Sequence, residues 1–272
     1  SADKDTASLV TVTLSRKLDE VTGLMQEVLF RPSFPEKEFR MLTDRRVQAF
    51  LTSRQKTSVI ARETFYEALC GSANPYGRIS REDDFRSLTT ADLRQFHERH
   101  YRPDRMYITV AGREPEKALP ILQKYFSTDR TGNWQNTSVP APRFETAKPG
   151  LIFCDVPNSV QSTVRTGWKG ITRNHPDFHE LQVATMILGG YFGSRLMRRI
   201  REEKGFTYGI HAVSGAFQSI GYITIMTDVA NKYRDETLEE IRNEIDRLRT
   251  EEISDDEMTI VRNHLMGEIA RM

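Results

Sequence analysis

Cysteine and tryptophan are scarce here, and neither sign of charge is in surplus: 272 residues hold two of each, and 39 Lys and Arg face 38 Asp and Glu. Two cysteines cannot build a disulfide framework. Cys70 and Cys154 each sit in an apolar run, which predicts two buried free thiols, with a disulfide between them unsupported. Balanced charge gives no electrostatic footprint for nucleic acid or an anionic membrane. No apolar run reaches the 18 or so residues of a bilayer-spanning helix. The start, Ser1 to Thr6, has neither the basic nor the apolar stretch of a signal peptide, so the compartment stays open. The chain also lacks H-x-x-E-H, G-x-S-x-G, and any cysteine in a suitable histidine context, which leaves no recognisable hydrolase site standing alone.

What is present is enough apolar residue for one large or two modest domains, 38% of the chain. Residues 8–14 alternate with period two and predict a strand, as do the apolar runs 106–112, 151–156, 162–168, 207–214 and 221–227. Val21, Leu24, Met25, Val28 and Leu29 recur at helical spacing. Arg31-Pro32-Ser33-Phe34-Pro35 stops that helix and starts another through Phe39, Leu42, Val47 and Phe50. Further helices are expected over 58–69, 90–101 (opened by the Thr90-Ala91-Asp92 cap signal), 116–126, 178–188, 195–203, 236–249 and 255–269. Residues 127–150 lose apolar periodicity and read as a linker.

The end of the chain repeats its beginning. Strand-like 9–14, then Asp19-Glu20, a helix, a Pro/Ser break, Glu38 and a second helix are matched in order by 222–226, Asp235-Glu236, a helix, Ile253-Ser254, Glu257 and a helix. Duplication explains matching lengths and matching breaks. The second copy stops where the first continues, so the chain reads as starting inside one domain and stopping inside the next.

Three stretches carry a resemblance. They are Phe34-Pro35-Glu36-Lys37-Glu38-Phe39; Asn74-Pro75-Tyr76-Gly77-Arg78, followed by Leu88 to Leu93 and His100-Tyr101-Arg102-Pro103; and Leu188-Gly189-Gly190 with Ser194-Arg195-Leu196 and 200–208. In this order they resemble the pitrilysin/insulinase family of inverted-motif zinc peptidases, over nearly the whole chain. The resemblance implies an α+β fold: two homologous domains, each an antiparallel sheet with helices packed on one face, a processing-peptidase-like sandwich. Residues 1–126 would be the C-terminal part of a first such domain, 127–150 a linker, and 151–272 the N-terminal part of a second. In that family one domain holds zinc on H-x-x-E-H and a distal glutamate, and the opposite domain offers an arginine and a tyrosine seven positions apart. Here those match Arg201 and Tyr208. The chemistry supports the pairing, because peptide hydrolysis builds negative charge on the scissile carbonyl oxygen and a phenol or guanidinium aimed there stabilises it. Gly205 would let the chain turn between them and so counts among the substrate-binding residues. The plain alternative is a solvated Arg201 and a Tyr208 packed at a strand edge.

The departures from the family bear on zinc. The distal glutamate would fall near Ala49 and its helper near Leu42, and neither is acidic. No metal is expected on this chain; the resemblance puts zinc on a catalytic H-x-x-E-H domain or partner subunit. The reading is a non-catalytic, substrate-binding portion of a zinc endopeptidase system acting on peptides or unfolded polypeptides, with pairing between copies through exposed sheet edges left open. The rival is an inactive scaffold protein of the same fold, which has no use for Arg201 and Tyr208 both aimed at a substrate. Other groupings mimic functional motifs without meeting their requirements. His97-Glu98-Arg99-His100 lacks metal-ligand spacing. His175 and His179 flank a helix start. Gly189 to Arg195 lacks the ending of a phosphate loop and follows a helix where such a loop follows a strand.

Overall fold

The structure, a computed structural model, describes residues 1–127 and 142–271. Most of the expected linker therefore lies outside the described residues. In chain order the elements are α1 (Leu18–Phe30), α2 (Glu36–Ser53), α3 (Thr57–Cys70), α4 (Glu82–Arg86), α5 (Thr90–His100), α6 (Leu119–Phe126), β1 (Gln161–Gly170), α7 (Phe178–Thr185), β2 (Ile210–Ala216), β3 (Gly221–Ala230), α8 (Arg234–Thr250) and α9 (Asp255–Ile269). They form two compact units, Ser1–Thr52 with Ser80–Pro140, and Ser53–Ile79 with Ala141–Met272.

The described part of the first unit is helical. Asp19 and Glu20 open α1, where negative charge suits the exposed N–H groups of a helix start. Buried Thr22 returns its hydroxyl to the Leu18 carbonyl at 2.6 Å. Gly23 lets the Tyr125 ring of α6 approach closely, and Lys124 reaches Asp19 at 2.9 Å. Helix α5 is opened by Thr89, one residue before the expected cap signal. The Asp92 N–H donates to its hydroxyl and the Asp92 carboxylate accepts from its N–H, a reciprocal box. The Thr89 hydroxyl also donates to the Asp92 carboxylate at 2.6 Å, and that bond together with the one from Thr89 N–H holds the carboxyl below its ordinary range.

The second unit holds all the strands among the described residues. They make one antiparallel sheet in the order β1-β3-β2, with Ile225 opposite both Thr166 and Ala212. Central β3 is buried along most of its length. Ile225, Val229, Val164, Ile210 and Ala212 join Leu188, Leu196, Met197, Ile200 and Ile241 in the main core. Each large aliphatic residue so buried contributes about 1.5–3 kcal/mol. Helix α3 packs against β1, where Thr163 donates to Thr57 at 2.8 Å. It also carries Leu69 and Cys70 into a second cluster with Tyr76 and Ile220, and Tyr76 stacks on Phe217 at 4.5 Å. Residues 143–147 run along the end of α3, with Asn74 holding the Arg143 carbonyl at 2.6 Å and Ala147 N–H donating to Ala68 at 2.7 Å.

Mixed helix and sheet with a small antiparallel sheet is the architecture present. The expectation of a sheet in each half is corrected: residues 8–14, 106–112 and 151–156 form no strand. Val12 is 97% and Tyr107 96% exposed, and neither segment pairs with a strand among the described residues. Alternating apolar residues suit a strand; only a neighbour makes one. The thiol expectation is also corrected in part. Both cysteines are free, but only Cys70 is buried, and exposed Cys154 lies 3.6 Å from the Thr64 hydroxyl.

Candidate functional site

Arg201, Gly205 and Tyr208 occupy one helix–turn–strand passage in the second unit. Helix α7 runs on into a π-helical stretch, Met186–Gly190, and after a short turn a second π-helical stretch follows, Met197–Glu203. Its wide turns show in the Lys204 N–H, which reaches five residues back to Arg199 at 3.2 Å. Gly189 permits the turn to press on β2, since a Cβ there would stand 2.7 Å from that of Ala212.

Gly205 ends the second π-helical stretch with φ +66°, the left-handed conformation that favours glycine, and Phe206 N–H closes onto the Ile200 carbonyl at 3.1 Å. The segment after it is fastened from several sides. Thr207 donates to the Asp228 carbonyl at 2.8 Å and accepts from Gly209 N–H at 3.1 Å, while Thr227 donates to Thr207 and to the Gly209 carbonyl. Phe206 stacks on Tyr233 at 4.4 Å, and Lys204 bridges Glu236 and Glu240 at 2.8 and 3.2 Å. Those two bonds raise the Lys204 ammonium above its ordinary range. With its neighbours pinned on both sides, Tyr208 is left 94% exposed, and β2 begins only at Ile210.

The Arg201 guanidinium lies over the Phe192 ring, 4.4 Å from its centroid. One of its terminal nitrogens is shielded from solvent and has no hydrogen-bond partner among the described residues. Arg201 and Tyr208 thus stand on either side of the Gly205 turn, and no hydrogen bond joins them among the described residues. Neighbouring Arg199 is spoken for: it holds Glu240 and Glu203 at 2.7 and 2.8 Å, and its bonds lower the Glu240 carboxyl.

Two features of this passage escape a reading of the sequence. Phe192, the platform under Arg201, lies between Leu188-Gly189-Gly190 and Ser194-Arg195-Leu196 but is not itself one of the residues that carry the resemblance. Arg195 makes a bidentate pair with Glu257 at 2.9 and 2.7 Å, with side chains only 9% and 13% exposed, so the turn is tied to α9. The Arg195 bonds hold the Glu257 carboxyl below its usual range. Sixty-two residues separate the pair, and the only local signal is Glu257 itself, three residues after the Ser254 helix cap.

The residues present do not fit a zinc site. Ala49 and Leu42 lie exposed on α2 and bring no carboxylate. Among the described residues no three His, Cys, Asp or Glu side chains are grouped so as to hold a metal ion. His97 donates to the Leu29 carbonyl at 2.6 Å, His175 accepts from Asp177 N–H at 3.2 Å, and His179 pairs with Gln182 at 3.0 Å. No helix of the described residues is long and apolar enough to cross a membrane.

Comparison with known proteins assigns the chain to a family. The family profile of the peptidase M16 inactive domain matches residues 87–265, most of the chain and the whole passage from Leu188 to Tyr208. The chain belongs to that family, the inactive-domain branch of the pitrilysin-type peptidases. It is 23% identical over 260 residues to an uncharacterized zinc protease of Bacillus subtilis, YmxG, covering 94% of this chain and 62% of that protein. A probable mitochondrial-processing peptidase subunit beta of Schizosaccharomyces pombe is 27% identical over 158 residues, 54% of this chain and 34% of that one. Among solved structures, a protease from Helicobacter pylori shares the fold with a TM-score of 0.81 at 18% identity, over 95% of this chain and 64% of its own. The peptidase M16 inactive domain from Pseudomonas fluorescens does so with a TM-score of 0.73 at 21% identity, over 93% and 61%. The chain spans less than two thirds of the length of these relatives.

Proposed function

We propose that this chain is the non-catalytic, substrate-binding portion of a zinc-dependent endopeptidase system acting on peptides or unfolded polypeptides. It joins the C-terminal part of one peptidase-like domain to the N-terminal part of another, and zinc belongs to a catalytic H-x-x-E-H domain or subunit that works with it. The observation that carries the reading is the exposed Tyr208 hydroxyl beside a turn whose other residues are fastened, with Arg201 positioned on Phe192 across that turn. A phenol held out at low ordering cost can donate to a carbonyl oxygen as negative charge builds on it, and the guanidinium supplies a second donor and a fixed charge. Substrate peptide is the ligand; the relatives named zinc proteases support the choice of chemistry.

The rival reading is an assembly protein that cleaves nothing. A fold shared with a chain of complex III2 from Candida albicans favours it, with a TM-score of 0.70 at 14% identity over 95% of this chain and 64% of that one. One experiment separates the two. The chain is mixed with the H-x-x-E-H partner encoded with it, and peptide cleavage is followed with and without Tyr208→Phe and Arg201→Ala. Each substitution is expected to lower kcat by about a hundredfold, the size of effect seen when one oxyanion donor is removed. Cleavage that continues unchanged in both variants would establish the scaffold reading.

A further inference from the structure

Helix α5 and the residues that follow α1 enclose a groove of about 640 Å³ in the first unit, remote in sequence from Arg201 and Tyr208. Its walls are aromatic. Phe34 meets the His97 ring edge-on at 5.8 Å, and His97 stacks on Tyr101 at 5.1 Å. Phe30 and Phe126 pack at 6.1 Å. The His97 ring is fixed by its bond to the Leu29 carbonyl. Phe34 takes φ +46°, in the left-handed region that bulky side chains rarely adopt, and its ring faces His97.

Three charged residues line the same groove: Arg31, Arg94 and Glu98. All three are exposed, and none is in an ion pair among the described residues. Among the described residues the Arg94 guanidinium has one hydrogen bond, to the Ser33 carbonyl at 3.5 Å. Arg94 and Glu98 stand one helical turn apart on α5, about 5–6 Å between their Cβ atoms. Two cations and one anion beside an aromatic cavity call for a ligand that presents a carboxylate, an N–H close to it and a large apolar group. The last residue of a polypeptide has all three, its carboxylate one carbon from its own N–H. An amino terminus would meet two guanidinium groups with like charge, and an internal Glu carries its carboxylate several bonds from the nearest N–H.

We propose that this groove binds the free carboxy terminus of a peptide whose last residue is aromatic or large and aliphatic, its carboxylate on Arg31 and Arg94 and its N–H on Glu98. The proposal rests on the preceding reading only for the choice of a peptide as ligand. The test is fluorescence anisotropy on the whole chain, with fluorescein-labelled glycine-rich peptides that end in Phe as free acid, end in Phe amide, or end in amide and carry an internal Glu-Phe. The acid is expected to bind about tenfold tighter than the amide, a difference of about 1.4 kcal/mol that one charge-assisted hydrogen bond supplies. Arg94→Gln should remove that preference and Tyr101→Ala should weaken acid and amide alike. Arg201→Ala and Tyr208→Phe should leave the preference intact, so failure of the clamp and failure of the groove read out separately. Equal binding of acid and amide would overturn the proposal. So would an acid preference that survives Arg31→Gln with Arg94→Gln, or an internal Glu-Phe peptide binding as tightly as the free acid.

Discussion

The two strand–helix–helix repeats share a plan and differ in what completes it. Each has a short 3-10 turn before its first helix, 15–17 before α1 and 231–233 before α8, and each first helix carries a buried threonine bonded to the carbonyl four residues back. In the second repeat the strand is β3, paired on both sides and buried. In the first, residues 8–14 hold the same alternating pattern with no ladder and with their side chains in solvent. The second helices differ likewise: Glu257 of α9 is locked to Arg195, whereas the matching Glu38 of α2 is exposed and unpaired among the described residues. Local sequence makes the helices and turns in both; distant partners make the strand and the buried ion pair in one.

That contrast can be pressed by mutation, taking the largest effect first. Arg195→Ala leaves a mostly buried carboxylate without its guanidinium and should cost about 3–5 kcal/mol in urea unfolding. Arg40→Ala, which removes the exposed partner of Glu36 in α2, should cost no more than about 0.5 kcal/mol. Acid sharpens the same comparison. Glu257 titrates lower in the folded chain than its ordinary 4.5, so the stabilisation from its pairing is present above that pH and is lost as pH falls through the depressed folded value. The gap between the parent and Arg195→Ala should therefore narrow in unfolding curves taken below about pH 4. A constant gap down to about pH 2 would break the assignment.

Next in size, Ile225→Ala in β3 should cost about 2–5 kcal/mol, while Val12→Ala in the matching segment should fall within about 0.5 kcal/mol. Equal losses would mean that residues 8–14 are in fact built into a core. Smallest is Gly205→Ala, expected to cost about 1–2 kcal/mol through its left-handed backbone alone, since open space surrounds the added carbon. Gly267, which also has room and keeps an ordinary φ inside α9, should instead gain about 0.5–1 kcal/mol on substitution by Ala.

How much of this is legible in the sequence follows the same division. Helix boundaries set by caps are readable: α9 begins at Asp255 as expected, and the cap of α5 lies one residue away, at Thr89. The strand expected from Thr207 begins at Ile210, because Thr207 spends its hydroxyl on fastening a loop. Leu151, Ile152 and Phe153 read as a strand and remain exposed, since no strand among the described residues pairs with them. Arg201, Gly205 and Tyr208 are proposed as the site through family likeness. Phe192 and the Arg195–Glu257 pair are not, since each depends on a contact that no local pattern encodes.

The π-helical stretch under Arg201 has a further consequence, for insertions and deletions. A five-residue ladder holds one residue more than an α-helix would use over the same rise. Deleting a residue between Met197 and Ile200 would let the backbone settle into the commoner α form with little loss of hydrogen bonding, and so could pass unnoticed in stability. Because the residue lost is the surplus one, Arg201 would keep nearly the same bearing over the Phe192 ring, whereas the same deletion in α8 would turn everything after it by about 100°. In this part of the chain, a change of length need not be a change of direction.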